Sequence, residues 1–235
     1  MVYDFTERHV VVTGGTGALG TQVTRMLMDS GATVHIPAID EREIEQFPLS
    51  EGENVHLTRD VDLTNEEQVR NYFAGIPTPW ASIHCAGGFG MGPVTETGAD
   101  ELHKLINLNI VTSYLCTREA VRVMQGSGEG GRIVNVSAQP GIEPRNAGGF
   151  SAYSATKAAV AAMTMSIGSE VKEHGIWVNA IAPSIIDTPA NREAMPDADH
   201  DAWPSVTDVA ATILFLASTA NHVTRSGVVP VYGHS

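Results

Sequence analysis

His9-Val10-Val11-Val12-Thr13-Gly14-Gly15-Thr16-Gly17-Ala18-Leu19-Gly20 is the stretch that decides the fold. A β-branched apolar run enters a glycine-rich turn, and the turn opens a helical pattern over 19–29. Gly31 follows that helix where a left-handed cap belongs. Glycines at Gly14, Gly17 and Gly20 permit a tight turn. Backbone N–H groups can then approach a pyrophosphate, whose charge the helix N-terminus favours. Directly after a strand and opening a helix, the motif reads as a dinucleotide cradle rather than an ordinary β–α turn.

The same alternation continues outward. Strands are predicted at 9–12, 33–36, 55–58, 82–85, 132–136, 177–181 and 228–231, with helices at 19–29, 65–74, 101–124, 151–172 and 206–217. Thr64 and Glu67 have the spacing of a capping box ahead of the second helix. The strands are nearly continuous apolar runs, as in a parallel sheet covered on both faces. Alternating strands and helices therefore predict an α/β, Rossmann-like, doubly wound sheet, seven-stranded and mostly parallel, with helices on both faces. Residues 1–235 are expected to form one NAD(P)-binding domain, with the glycine-rich passages 87–92 and 126–131 as loops inside it. Ligands of such sheets bind beyond the carboxyl ends of the strands, at the switch point.

Composition narrows the function. The 235 residues carry 14 Lys+Arg against 27 Asp+Glu, a net charge of −13, which argues against a nucleic-acid-binding face. A hydrophobic content of 43% supports a packed core. No apolar run approaches the roughly 18 residues that span a bilayer, and the start MVYDFTERHVVV lacks the basic and apolar regions of a signal peptide. A cytoplasmic protein without a membrane partner is expected. Cys85 and Cys116 sit in apolar contexts and read as small buried hydrophobes rather than a disulfide. His200 lies among Asp197, Asp199 and Asp201, but no fixed ligand spacing supports a metal there. His84, at a strand end, reads as packed or hydrogen-bonded.

The chemistry concentrates in Ser151-Ala152-Tyr153-Ser154-Ala155-Thr156-Lys157. Four-residue spacing puts Tyr153 and Lys157 on one helix face. A neighbouring ammonium favours the phenolate and draws the phenol toward the range of efficient acid–base catalysis. The nucleotide itself is left open. Asp40 stands near the spacing of an acid that accepts from a ribose 2′-OH, but Ala38 holds the strand-end position; no base in the glycine loop offers a phosphate partner, although Arg42 is close.

With these residues in hand, the chain resembles the short-chain dehydrogenase/reductase family over nearly its whole length. The resemblance rests on the TGGTGALG loop, Asp62-Leu63, Ala86-Gly87, Asn109, and Tyr153 with Lys157. It extends through Val178-Asn179-Ala180-Ile181-Ala182-Pro183 to Pro230-Val231-Tyr232-Gly233. It implies NAD or NADP held by Gly14, Thr16, Gly17, Ala18, Leu19, Gly20, Ala86 and Gly87, with Asp62 and Leu63 flanking adenine. Pro183, Ile186 and Thr188 would hold the nicotinamide carboxamide. Tyr153 would be the proton donor or acceptor. Lys157 would bind the nicotinamide ribose and lower the phenol pKa, and Asn109 would support a water-linked relay. Self-association as a homodimer or homotetramer, through the helices of Asn109 and Tyr153, is also implied.

Three departures are informative. Ala138 occupies the position of the family's catalytic Ser, and Ser137 beside it points to the other face of a regular strand. The fourth-strand motif reads His84-Cys85-Ala86-Gly87. The spacing Gly14-x-x-Gly17-x-x-Gly20 is that of longer members, often epimerases or dehydratases. Locally the chain is similar to quinonoid dihydropteridine reductases, in the glycine turn, in Cys85-Ala86-Gly87-Gly88-Phe89 and in 187–199 with Trp203. Those enzymes manage without the Ser because a quinonoid substrate accepts hydride readily. The reading is an NAD(P)H-dependent oxidoreductase acting on a carbonyl or quinonoid small molecule, with 187–199 closing over the site and Phe89 lining it. Its alternatives are a non-catalytic dinucleotide-binding sensor and an NAD-retaining epimerase or dehydratase.

Overall fold

The computed structural model describes residues 3–49 and 52–235; Met1 and Val2, the first residues of the amino-terminal stretch read above, lie outside them. Among the described residues seven strands form one sheet: β1 (His9–Thr13), β2 (Thr33–Pro37), β3 (Val55–Thr58), β4 (Ala81–His84), β5 (Gly131–Val136), β6 (Ile176–Pro183) and β7 (Val228–Val231). Their order is β3-β2-β1-β4-β5-β6-β7. Every neighbouring pair is parallel, β7 included, so the sheet is wholly rather than mostly parallel. Parallel neighbours need long crossovers, which helices supply.

β1 shows how residue alternation becomes layers. Val10 and Val12 face one way, into a cluster with Val23 and Leu27 of α1 (Ala18–Asp29) and Ile213 and Leu214 of α9 (Val206–Ala217). Val11 faces the other way, against Val69 and Phe73 of α3 (Glu66–Ala74) and Leu115 and Met124 of α5 (Thr112–Ser127). Gly31 takes φ +88° after α1, its N–H donating to Met28 O at 2.9 Å, as its position predicted. Cys85 is half-buried and Cys116 buried; both are free thiols, pushed up to about 12 by burial. Among the described residues no helix is long and apolar enough to cross a membrane.

Two local expectations are corrected. The helix over 101–124 divides into α4 (Ala99–Leu105), a π-helical segment (Ile106–Val111) and α5. The wider turn carries Asn109, whose amide is drawn to main chain outside the helix; such turns concentrate at functional sites. The cap of α3 is Asn65, not Thr64: Asn65 Oδ1 accepts from Glu67 N and Gln68 N, each at 3.1 Å. Asp62 has captured Thr64, accepting its hydroxyl at 2.7 Å and its N–H at 2.8 Å, and the cap moves one residue on. The strand order reverses between β1 and β4, and their carboxyl ends frame the site.

Candidate active site

At this switch point the glycine loop meets the loop after β4. Gly14 has φ +63°, and a Cβ there would lie 2.6 Å from Ala86 N, so only glycine lets the two loops touch. Thr13 Oγ1 accepts from Ala86 N at 3.3 Å, and Thr21 Oγ1 donates to Gly15 O at 3.2 Å, fixing the turn. Gly17 is the N-cap of α1, with no side-chain cap and no acid in the first turn. By contrast, α3 has an Asn cap and two acids in its first turn. The start of α1 therefore leaves backbone donors and the positive end of a helix facing the cleft, a fit for a pyrophosphate. Ala18 is exposed at the helix start, Gly20 is buried in its first turn, and Leu19 packs on the α1/α9 core. Asp62 and Leu63 follow β3 on the same edge, and Leu63 packs partly buried against the α3/α5 core.

Tyr153 and Lys157 lie one turn apart near the start of α7 (Ser151–Glu170). The Lys157 Nζ donates to Val136 O at the end of β5 at 3.0 Å, and stands 5.9 Å from the Tyr153 ring centroid. Burial disfavours both charged forms. The Lys157 ammonium is pulled down to about 8, and the Tyr153 phenol is pushed up to about 12. Burial moves the phenol upward, opposite in direction to the lowering the resemblance implies. Gly87 sits between the polar groups: a Cβ there would be 2.8 Å from Asn109 Oδ1 and 3.3 Å from Lys157 Nζ. Asn109, fully buried, accepts from Gly88 N at 2.9 Å and donates to Gly88 O at 3.0 Å and to Thr156 Oγ1 at 3.1 Å.

No hydroxyl stands where the resemblance places a Ser. Ala138 is buried with extended backbone just ahead of the short α6 (Gln139–Ile142), and Ser137 Oγ donates to Lys157 O at 2.8 Å, buried on the other side. His84 is also sequestered, with Nε2 2.8 Å from Ser82 Oγ and Nδ1 2.7 Å from Asn135 Oδ1. Burial holds its imidazole down to about 4, so it is neutral and structural.

The open side of Tyr153 is aromatic. Phe89 packs edge-on against the Tyr153 ring, centroids 5.1 Å apart, and lies 5.8 Å from Phe150; it remains 61% exposed. Gly92 N donates to Gly149 O at 2.8 Å, tying this loop to the start of α7. Beyond Pro183, at the end of β6, Asn191 pins the following stretch: its Nδ2 donates to Ile186 O at 2.8 Å and its N–H to Thr188 Oγ1 at 3.2 Å. Thr188 caps α8 (Pro189–Ala194), whose Arg192 clasps Asp187 with two bonds of 2.6 and 2.8 Å. His200 is engaged with Met195 O at 2.8 Å, its ring tilted against that of Trp203 with centroids 4.7 Å apart. Nothing local in the sequence marks Phe150 or Thr156 for these contacts; Asn191 carries a local signal, in the Thr188-Pro189 helix start that precedes it.

Comparison with known proteins agrees with this geometry. The family model described as short chain dehydrogenase matches residues 8–199. A galactitol 2-dehydrogenase of Rhizobium johnstonii is 32% identical, the match covering 94% of this chain and 92% of that protein. A 3-oxoacyl-[acyl-carrier-protein] reductase of Rickettsia typhi is 29% identical, covering 94% of each chain. Among solved structures, a short-chain type dehydrogenase/reductase from Mycobacterium ulcerans superposes with TM-score 0.87 at 26% identity, covering 98% of this chain and 90% of that one. The protein ElxO with NADP bound gives TM-score 0.86 at 28% identity, covering 96% and 97%. The chain belongs to the short-chain dehydrogenase/reductase family and is an NAD(P)H-dependent oxidoreductase.

Proposed function

We propose that the chain reduces a conjugated carbonyl or quinonoid small molecule, with Tyr153 as proton donor, Lys157 as its electrostatic and proton partner, and Asn109 as a positioning residue. When bound, the reduced nicotinamide supplies the hydride. Tyr153 gives its phenolic proton to the substrate heteroatom as the carbon is reduced, and the phenolate left behind is reprotonated from solvent past the Lys157 ammonium. Asn109 braces Gly88, with Gly87 close against its Oδ1. Its amide is already committed to Gly88 and Thr156, so a water-linked relay would run through its main-chain carbonyl. On this reading Gly14, Thr16, Gly17, Ala18, Leu19 and Gly20 hold the pyrophosphate, and Asp62 and Leu63 flank adenine. Ala86 and Gly87 back the nicotinamide ribose, and Pro183, Ile186 and Thr188 hold the carboxamide. Residues 1–235 act as one dinucleotide-binding domain, and α8 covers the substrate side. Exposed Leu102, Tyr114 and Met165 on α4, α5 and α7 support pairing of two copies across these helices.

The substrate reading is carried by Ala138. One preorganised donor at a developing oxyanion contributes on the order of 10²–10³ in rate, and this position has none. A substrate whose electron-poor ring accepts hydride without that help is favoured, and Phe89 with Phe150 offers it an aromatic, apolar wall. The expected result is that quinones and quinonoid dihydropterin exceed simple ketones in kcat/KM. Ala138→Ser raises ketone kcat/KM by about tenfold or more while leaving the quinonoid substrates within about threefold. Ketones reduced as well as quinones by the unaltered enzyme would remove this reading.

The acid–base assignment fixes the sign of the pH response. A phenol pushed up to about 12 is protonated at neutral pH and ready to donate, while an ammonium at about 8 discharges as pH rises. Reductive kcat/KM is expected to be level up to about pH 8 and to fall above it. The oxidative direction, which needs the phenolate, is expected to climb through the alkaline range. A reductive rate that rises across the Lys157 transition contradicts the assignment.

A further inference from the structure

We propose that this chain selects the dinucleotide lacking a 2′-phosphate, and that Glu43, reaching in from the helix after β2, makes the selection in place of the missing strand-end acid. The inference rests on the reading that the cleft holds a dinucleotide. Ala38, just beyond β2, is buried and engaged only through its main chain, with Ala38 N to Thr58 O at 2.9 Å and Val61 N to Ala38 O at 3.1 Å. Ile39 beside it is apolar and exposed. Neither side chain can hydrogen-bond a ribose hydroxyl.

The polar group that does reach the glycine loop is Glu43. It lies on α2 (Glu41–Glu45), capped by Asp40, and its Oε2 accepts the Thr16 hydroxyl at 2.7 Å. Thr16 stands in the turn between Gly14 and Gly17, so the bond holds a carboxylate against the rim of the pyrophosphate cradle. That is the side where an acid about 20 residues past the glycine motif meets the adenosine ribose. A 2′-hydroxyl donates readily to such a carboxylate, whereas a 2′-phosphate meets like charge.

The neighbouring cations do not reverse the sign. Arg42 lies 3.5 Å from Asp40, and Arg59 lies 3.7 Å from Glu41. Three carboxylates, Asp40, Glu41 and Glu43, thus face two guanidinium groups, each already beside an acid. A phosphate monoester, carrying close to two negative charges, would enter a rim that is net negative. Thr16 and Glu43 are both accessible at the surface, so the ribose can join their bond without the core moving.

Fluorescence titration of the purified protein with NADH and with NADPH tests this without turnover. The expected Kd for NADH is lower by about tenfold or more. Glu43→Gln narrows the gap to within about threefold, and Glu43→Arg reverses it. Thr16→Val, which releases the carboxylate, also narrows it, and added salt selectively relieves the NADPH penalty. Unaltered protein that binds NADPH as tightly as NADH overturns the selection while leaving the dinucleotide site intact, and so does a Glu43→Gln ratio equal to that of the unaltered protein. Binding of neither nucleotide overturns both the selection and the reading beneath it.

Discussion

Tyr153→Phe is expected to lose about 10²–10⁴ of kcat while its Kd for the reduced nucleotide stays within about twofold. Phenylalanine keeps the ring that packs 5.1 Å from Phe89 and removes only the oxygen, so α7 and the aromatic wall should be undisturbed. The remaining rate reflects positioning of substrate beside nucleotide, which the fold supplies without a proton donor. Stopped-flow reduction and nucleotide fluorescence, run on the same preparation, separate the two quantities. Turnover at the unaltered rate would take Tyr153 out of the mechanism. Loss of nucleotide binding together with rate would make it a binding residue instead.

Gly14→Ala should abolish nucleotide binding, raising Kd by about 100-fold or more. The added methyl would lie 2.6 Å from Ala86 N and 2.8 Å from Ala86 Cα, both backbone atoms that cannot swing aside, and φ is +63°. A left-handed non-glycine residue costs about 1–2 kcal/mol before any clash, and parting the two loops adds to it. Thermal unfolding should therefore shift downward, with binding lost even where the protein remains folded. Gly126→Ala is the control. It sits in α5 with nothing within 4 Å of its added Cβ, and should leave binding unchanged while stabilising the helix by up to about 1 kcal/mol. Normal nucleotide affinity in Gly14→Ala would mean that the cradle lies elsewhere.

How much of this is legible in the chain follows from the range of each interaction. The glycine turn and the Tyr153/Lys157 pair are local: periodicity and spacing place them on a turn and on one helix face, and the structure sets the turn at the reversal between β1 and β4 and Lys157 against the end of β5. The parallel sheet followed from alternation, and it is wholly rather than mostly parallel. What escaped depends on distant contacts. Ile106-Asn107-Leu108-Asn109-Ile110-Val111 keeps helical spacing, yet winds as a π segment because Asn109 bonds to Gly88, far away in sequence. The Asp62 carboxylate took Thr64 from its expected cap. The phenol's upward displacement comes from burial, which spacing alone does not report. Glu43 met Thr16 only once β2 had placed its following helix beside the glycine loop.

The most direct test of the account is the fate of one hydrogen. Reduced nucleotide deuterated at the transferring position of nicotinamide C4 is incubated with enzyme and a quinone or quinonoid dihydropterin, and product and nucleotide are analysed by mass spectrometry. The account predicts deuterium on the reduced product and one oxidised nucleotide for each product formed. Deuterium retained in the nucleotide after substrate has been converted, or nucleotide that binds without any conversion, would contradict it.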